Sequence, residues 1–377
     1  MSKNTPGSIY KRKTPVRVLV APLDWGLGHA SRCIPIIKML LAKGCEVIIA
    51  TDGLQELLLV DEFPSVTFIK LKGYEVGYSK KRLMWRLVQQ LGKIKTAIKV
   101  ENLWLQDIIG THKIDWVISD NRYGLYSKLA PCTLITHQLQ LKIPGDFSWS
   151  RQFVQSLLYR LINKFDMCWV PDSAASGLSG VLGHPLKMPF IPTRYIGWLS
   201  RFSASNTVKY RPGKCLVILS GPEPQRTLLE NILLLQLKEE KREIVIVRGL
   251  PGNKEKLDLP MNIEVFDHLP SFEMLPEFQN AEFVISRTGY STLMDAFSLQ
   301  KKCILIPTPG QTEQEYLGKE LEKKKMAVIC QQRDFNFQFA LAKAANFDFQ
   351  FIEAGQGNLL EKTIDTFLNA NFSGQGV

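Results

Sequence analysis

The sequence predicts two doubly wound α/β domains, each a parallel sheet with helices on both faces, meeting at a cleft. Three features predict it. At 377 residues the chain exceeds what one hydrophobic core usually serves. Short β-branched runs alternate with longer helical patterns from end to end, the sequence form of parallel strands joined by crossover helices. The alternation lapses once, in a stretch rich in Pro, Gly and Ser over about 185–213, and then restarts, which marks a linker between two units of one plan.

Taken in order, residues 1–14 are polar and basic with no apolar stretch behind them. They read as a loose tail and not as an export signal, so the expected location is the cytoplasm. Residues 15–200 are the first expected domain, with strands at 16–22, 46–51, 66–71, 115–119, 133–136 and 167–170. Residues 201–357 are the second, with strands at 214–220, 244–248, 263–266, 283–286, 303–307 and 327–330. The remainder, 358–377, is helical in pattern and is expected to return to pack on the first domain.

Composition narrows the function classes. The 45% hydrophobic and 22% charged fractions are those of a globular chain, and no window approaches the roughly 18 uninterrupted apolar residues of a membrane helix. The cysteines (Cys33, Cys45, Cys132, Cys168, Cys215, Cys303 and Cys330) contain no C-x-x-C pair, so neither a disulfide nor a zinc site is expected. A formal charge of +11 calls for an anionic partner: a nucleotide phosphate, an acidic membrane surface or a nucleic acid. With no nucleic-acid module and no basic run interleaved with stacking aromatics, nucleic acid is the weakest of the three.

Ligands of open parallel sheets bind beyond the carboxyl ends of the strands, where glycine loops let a helix N-terminus approach a phosphate. Four such segments carry chemistry. After the first strand, Gly26-Leu27-Gly28-His29 opens a helix, and His29 at the cleft mouth is a candidate general base because its ordinary pKa needs little tuning. The plainer alternative is a helix cap or a filled polar niche. At the end of 115–119, Asp120 is the candidate to orient His29, with an Asx turn or an N-cap as the competing local role. After 283–286, the N–H groups of Thr288, Gly289, Tyr290 and Ser291 suit a diphosphate, and Asp295 one turn later suits ribose hydroxyls. After 303–307, Gln311, Gln314 and Glu315 offer amide and carboxylate groups suited to donor-sugar hydroxyls.

On these residues the chain resembles glycosyltransferase family 28, most clearly over 283–316 and in the Gly28-His29 loop. The resemblance implies a GT-B fold and transfer of a hexosyl or N-acetylhexosaminyl group from a UDP-sugar to an acceptor hydroxyl. The family's nucleotide motif falls on Ser286, Arg287, Thr288, Gly289, Thr292 and Asp295, the last a shortened match for the family's glutamate. Its Gln-Gln pair falls on Gln314 and Glu315, and its diphosphate arginine on Arg201. The donor loop keeps Gly221, followed by two prolines where small residues are usual, the uracil-facing backbone falls on His268 and Leu269, and the acceptor segment makes His137 a second candidate base. The Gly-Leu-Gly-His-x-x-Arg-Cys run also resembles the opening of UDP-sugar hydrolases of this fold, which pass the sugar to water. A hydrolase and a non-catalytic nucleotide-sugar binder therefore stay open as alternatives.

No Asp-x-Asp is present to hold a metal, so inverting, metal-independent transfer without a cofactor is expected, with helix N-termini and arginine facing the leaving UDP. The expected acceptor is a lipid, a glycan or a small molecule. Two basic, amphipathic segments suggest peripheral contact with anionic membrane. The first joins Leu83, Leu87, Leu91, Ile94, Ile98, Leu105 and Ile108 with Lys80, Lys81, Arg82, Arg86, Lys93, Lys95 and Lys99. The second joins Trp149, Phe153, Leu157, Leu161 and Phe165 with Arg151, Arg160 and Lys164. Ordinary core packing with a solvated charged face is the plainer reading of each segment taken alone.

Overall fold

The computed structural model describes residues 14–73, 83–142, 148–175, 177–202, 210–253, 255, 257–352 and 358–372. The first domain runs β1 (Arg17–Pro22), α1 (Leu27–Ala42), β2 (Glu46–Thr51), α2 (Leu54–Glu62), β3 (Thr67–Lys70), α3 (Leu83–His112), β4 (Trp116–Asp120), β5 (Cys132–Ile135), α4 (Ser148–Ile162), β6 (Met167–Val170) and β7 (Thr193–Tyr195). The second runs β8 (Cys215–Ile218), α5 (Gln225–Leu237), β9 (Ile244–Val247), β10 (Ile263–Phe266), α6 (Ser271–Asn280), β11 (Phe283–Ser286), α7 (Tyr290–Ser298), β12 (Lys302–Leu305), α8 (Thr312–Lys323), β13 (Ala327–Ile329) and α9 (Phe337–Ala345). A last helix, α10 (Leu359–Phe372), follows.

Both sheets are parallel, ordered β3-β2-β1-β4-β5-β6-β7 and β10-β9-β8-β11-β12-β13. Each reverses its winding once, between β1 and β4 and between β8 and β11, and the crevice at that reversal is where such folds take ligands. Strands such as Ile244–Val247 and Phe283–Ser286 are buried at every position because helices cover both faces, which is why they read as unbroken apolar runs. The linker expected over 185–213 begins inside the first sheet: β7 pairs with β6 through Cys168↔Thr193 and Val170↔Tyr195. Three residues starting just after Pro192 show no alternation to read.

The two domains share one apolar layer, in which Ile34, Ile37 and Leu40 of α1 belong to the same cluster as Leu293, Met294 and Phe297 of α7. Helix α7 lies between its own sheet and α1, so eight of its nine residues are buried. A helix enclosed on both sides has no face to leave polar. Helix α10 packs on the first domain: Phe367 stacks on Trp116 with ring centroids 4.0 Å apart, and Lys43 bridges Glu361 at 2.8 Å and Asp365 at 2.9 Å.

Of the basic segments, Lys80, Lys81 and Arg82 lie outside the described residues, as do the side chains of Leu83, Arg86, Leu87, Leu91, Lys93, Trp149 and Arg151. Ile98 and Leu105 are core residues of α3. Helix α4 buries Leu158, Tyr159 and Ile162 and leaves Phe153 63% exposed, so its apolar stripe is rotated from the expected one. No helix among the described residues is long and apolar enough to cross a membrane. All seven cysteines are free thiols.

Candidate functional site

The site starts from strand register. Pro22 at the end of β1 pairs with Asp120 at the end of β4, and Asp120 pairs with Ile135 of β5, so the loops that follow these strands emerge side by side. Gly26, with φ of 82°, turns the chain from β1 into α1, a backbone conformation that side chains rarely adopt. His29 then falls in the first turn of α1, and Arg32 three residues on shares its face. Asn121, with φ of 56°, ends β4 just after Asp120; asparagine tolerates this region better than most residues.

These loops bring the first-domain candidates together. His29 Nδ1 lies 2.9 Å from Asp120 Oδ2, and its side chain is 15% exposed. Arg32 Nε donates to both Asp120 oxygens, at 3.0 and 2.9 Å, while Arg32 Nη2 lies 2.7 Å from His29 Nδ1. That ring nitrogen serves one neighbour at a time: as donor to Asp120 it leaves the Nε2 lone pair free, and as acceptor from Arg32 it puts the proton on Nε2. Nε2 has no hydrogen-bond partner among the described residues. Burial first, and then the Arg32 charge, lower the His29 pKa from 6.5 against the opposing pull of Asp120. Burial works to raise the Asp120 pKa, but Arg32 and His29 outweigh it and hold the carboxyl below the ordinary value.

His137, after β5, has both ring nitrogens engaged. Nε2 is 2.6 Å from Glu313 Oε1 across the cleft, and Nδ1 is 3.4 Å from Arg32 Nη1. Its ring stacks on Tyr290 of α7 at 4.1 Å and 3°. Gln138 Nε2 donates to the other Glu313 oxygen. Sequence reading gave neither Arg32 nor Glu313 a role. Arg32 was recoverable from its three-residue spacing to His29; Glu313 was hidden by its position among polar residues in the first turn of α8.

The second-domain candidates divide. Several are hydrogen-bonded within the chain itself. Asp295, 2% exposed, accepts from Arg201 N at 2.8 Å, Arg201 Nε at 2.9 Å and Ser200 Oγ at 3.1 Å. Asp295 and Arg201, expected on ribose and diphosphate, thus clasp the linker to α7. Gln314 Oε1 accepts the Thr308 N–H and Glu315 Oε1 the Gly310 N–H, both at 2.8 Å. Side chains at a helix start fold back on the unsatisfied N–H groups before it. Ser286 Oγ donates to the Arg287 carbonyl, Tyr290 Oη to the Pro171 carbonyl, and Ser291 Oγ to the Gly28 carbonyl at 2.6 Å. A side chain added at Gly28 would meet Ser291 Oγ at 3.2 Å, so Gly28 sets the approach of α1 to α7. The Leu269 side chain is core.

The others keep buried polar atoms unpaired. Thr288 Oγ1, Thr308 Oγ1, Gln311 Oε1, His268 Nε2 and Arg287 Nε have no hydrogen-bond partner among the described residues. Arg287 donates to the carbonyls of Ile306 and Gln225 and faces no carboxylate in an ion pair among the described residues; burial lowers its pKa to about 10. Burial and then Arg201 lower the His268 pKa. Gly221, with φ of 104°, lies over the second group, since a side chain added there would meet Thr308 Oγ1 at 3.8 Å. Gly289 caps α7, and Thr292 is in its first turn.

Two doubly wound domains whose strand-end loops face each other define the GT-B class of glycosyltransferases. SnogD from Streptomyces nogalater shares the fold with a TM-score of 0.61 at 12% identity, over 95% of this chain and 100% of that one. MurG of Acinetobacter baumannii does so with a TM-score of 0.52 at 15% identity, over 94% and 99%. Residues 215–353 match the Glycosyltransferase family 28 C-terminal domain. An uncharacterized glycosyltransferase of Methanosarcina mazei is 22% identical over 346 residues, 82% of this chain and 84% of its own. The UDP-N-acetylglucosamine–N-acetylmuramyl-(pentapeptide) pyrophosphoryl-undecaprenol N-acetylglucosamine transferase of Gloeothece citriformis is 23% identical over 342 residues, 86% of this chain and 85% of its own. The protein is a glycosyltransferase of GT-B fold with a family 28 C-terminal domain.

Proposed function

We propose that the protein transfers a hexosyl or N-acetylhexosaminyl group from a UDP-sugar to an acceptor hydroxyl, with inversion and without a metal. One observation carries the reading: His29, held by the buried Asp120, keeps a free Nε2 at the strand ends of the first domain. The buried, unpaired polar atoms at Thr288, Thr308, Gln311 and Arg287 mark the corresponding strand ends of the second domain and support a polar, anionic ligand there. In the step proposed, the acceptor oxygen gives its proton to His29 Nε2 and forms the bond to the anomeric carbon. The bond from that carbon to the diphosphate oxygen breaks, and its electron pair leaves with UDP. Asp120 stabilises the imidazolium so formed, while the Arg287 guanidinium and the N-terminus of α7 offset charge on the leaving diphosphate.

The acceptor class favoured is a lipid at an anionic membrane surface, on the +11 formal charge and on the printed substrate of the Gloeothece relative. UDP release from UDP-glucose, UDP-galactose and UDP-N-acetylglucosamine, with and without a cell lipid extract, tests the reading. Release only with the extract, unaltered by EDTA and with inverted product configuration, is expected. Equal release without the extract makes the protein a hydrolase, and binding without release makes it a nucleotide-sugar sensor. Retained configuration removes the single displacement, and metal dependence removes the metal-free mechanism.

A further inference from the structure

Glu313 is the one carboxylate of the second domain in direct contact with the histidine network of the first among the described residues. Its side chain is 20% exposed, and both oxygens are used across the cleft, by His137 Nε2 and by Gln138 Nε2. Its neighbours on α8 point elsewhere, since Gln314 and Glu315 turn back to Thr308 and Gly310. From Glu313 a chain of contacts runs through buried groups: His137, then Arg32 at 3.4 Å, then His29 at 2.7 Å and Asp120 at 2.9 Å. Tyr290, also of the second domain, fixes the His137 ring by stacking on it.

We infer that Glu313 is a positioning residue for His29, acting through His137 and Arg32, so that the base is completed only when the two domains meet. The inference rests on the reading of His29 as the base. The argument is one of charge. Within the first domain alone, Arg32 and Asp120 cancel, so a proton taken up by His29 would leave a net positive charge in a buried site, and such a charge is costly. Glu313 adds one negative charge from the other domain, and with it the protonated state of the cluster is neutral. Two features keep Glu313 ionised for this purpose. It stands in the first turn of α8, where the helix favours a carboxylate. Burial works to raise its pKa, but His137, Arg32 and His29 outweigh it, so its carboxyl stays below the ordinary value. Nε2 of His137 facing the carboxylate carries the proton, which leaves Nδ1 to accept from Arg32. The guanidinium is thereby held among Asp120, His137 and the His29 nitrogen, so Glu313 acts on His29 through it. Arg32 from α1, Asp120 from the end of β4, His137 after β5 and Glu313 from α8 are the charged or titratable groups around His29, with Tyr123 and Cys33 beside Asp120 and Tyr290 beneath His137.

The chain holds 5 histidines, so the ring C–H signals are few enough to follow by NMR as pH is varied, with His29 and His137 assigned by substitution. Wild type, Glu313→Gln and Glu313→Asp are compared. Removing the negative charge makes the imidazolium less stable, so the His29 midpoint in Glu313→Gln is expected to fall by about half a unit or more. Glu313→Asp, which keeps the charge, is expected to hold it near the wild-type value. In turnover of UDP-N-acetylglucosamine with lipid extract, Glu313→Gln is expected to lower kcat about ten-fold with donor KM within about two-fold, the split of a group acting in the transition state. A His29 midpoint unmoved in Glu313→Gln, or moved equally in Glu313→Asp, overturns the inference. So does a loss of activity carried by KM, which makes Glu313 a domain clasp or a donor ligand. A His29→Ala enzyme with full turnover overturns the base reading and the inference with it, whereas an inactive His29→Ala beside an unmoved midpoint overturns the inference alone.

Discussion

The two sides of the cleft are built from the same kind of loop and use their polar groups in opposite ways. In the first domain, three adjacent strand ends send His29, Asp120 and His137 toward one another, and the network leaves His29 Nε2 free. In the second, the helix-start residues Ser291, Gln314 and Glu315 close on backbone, and Asp295 closes on the linker. Strand ends fix where a side chain starts, and register alone carries two of them together. A helix start has unpaired N–H groups of its own, so the acceptor oxygens of Gln314 and Glu315 are drawn to such groups first, while Ser291 donates to the Gly28 carbonyl. The buried polar atoms of the second domain left unpaired among the described residues include those of Thr288, Thr308, Gln311, His268 and Arg287.

The sharpest test of this contrast is Asp295→Ala. If Asp295 serves the linker, its loss leaves Arg201, whose side chain is 9% exposed, unpaired. Breaking a buried pair in this way costs about 3–5 kcal/mol, so a lowered melting temperature and denaturant midpoint are expected, beyond any change in UDP affinity. An unchanged fold with weakened UDP binding would return Asp295 to the ribose. Next in size is His29→Ala, expected to lower turnover about 10²-fold while calorimetry finds UDP affinity kept. If His137→Ala loses more than His29→Ala, the free nitrogen is not what selects the base. Gln314→Ala strands the Thr308 N–H and is expected to cost about 1–3 kcal/mol of stability, with donor KM changed mainly through the loop. A large donor-specific KM effect with unaltered melting would put its amide on the sugar. The smallest effect is in pH. A base with a lowered pKa stays neutral to lower pH, so the acid limb of kcat/KM is expected below 6.5, the unperturbed value. A limb above 6.5 would make Asp120 the dominant influence on His29.

Most of the fold was legible because buried parallel strands announce themselves as apolar runs; 46–51, 167–170 and 283–286 carry the same bounds in sequence and structure, as does the more exposed edge strand at 263–266. The strand at Thr193–Tyr195 was not, being three residues long and without alternation. At the site, the nearness of His29 and Asp120 was legible because both follow strands adjacent at the reversal of the sheet. Arg201 with Asp295, and Glu313 with His137, were not, because each pairs residues across the chain at a separation that local pattern does not encode. The stripe of α4 was misplaced because mixed apolar positions admit two helical faces, and which is buried depends on what packs against it.

The docking of α10 on the first sheet has a consequence for how the molecule is made. Trp116, wholly buried, owes part of its cover to Phe367, and Lys43 to Glu361 and Asp365. During synthesis the first domain emerges first, yet this flank of it stays bare until residues 359–372 arrive, after the whole second domain has been translated. The two units are thus not independent products joined in series. Released alone, the first would carry an uncovered aromatic patch, which the last helix covers.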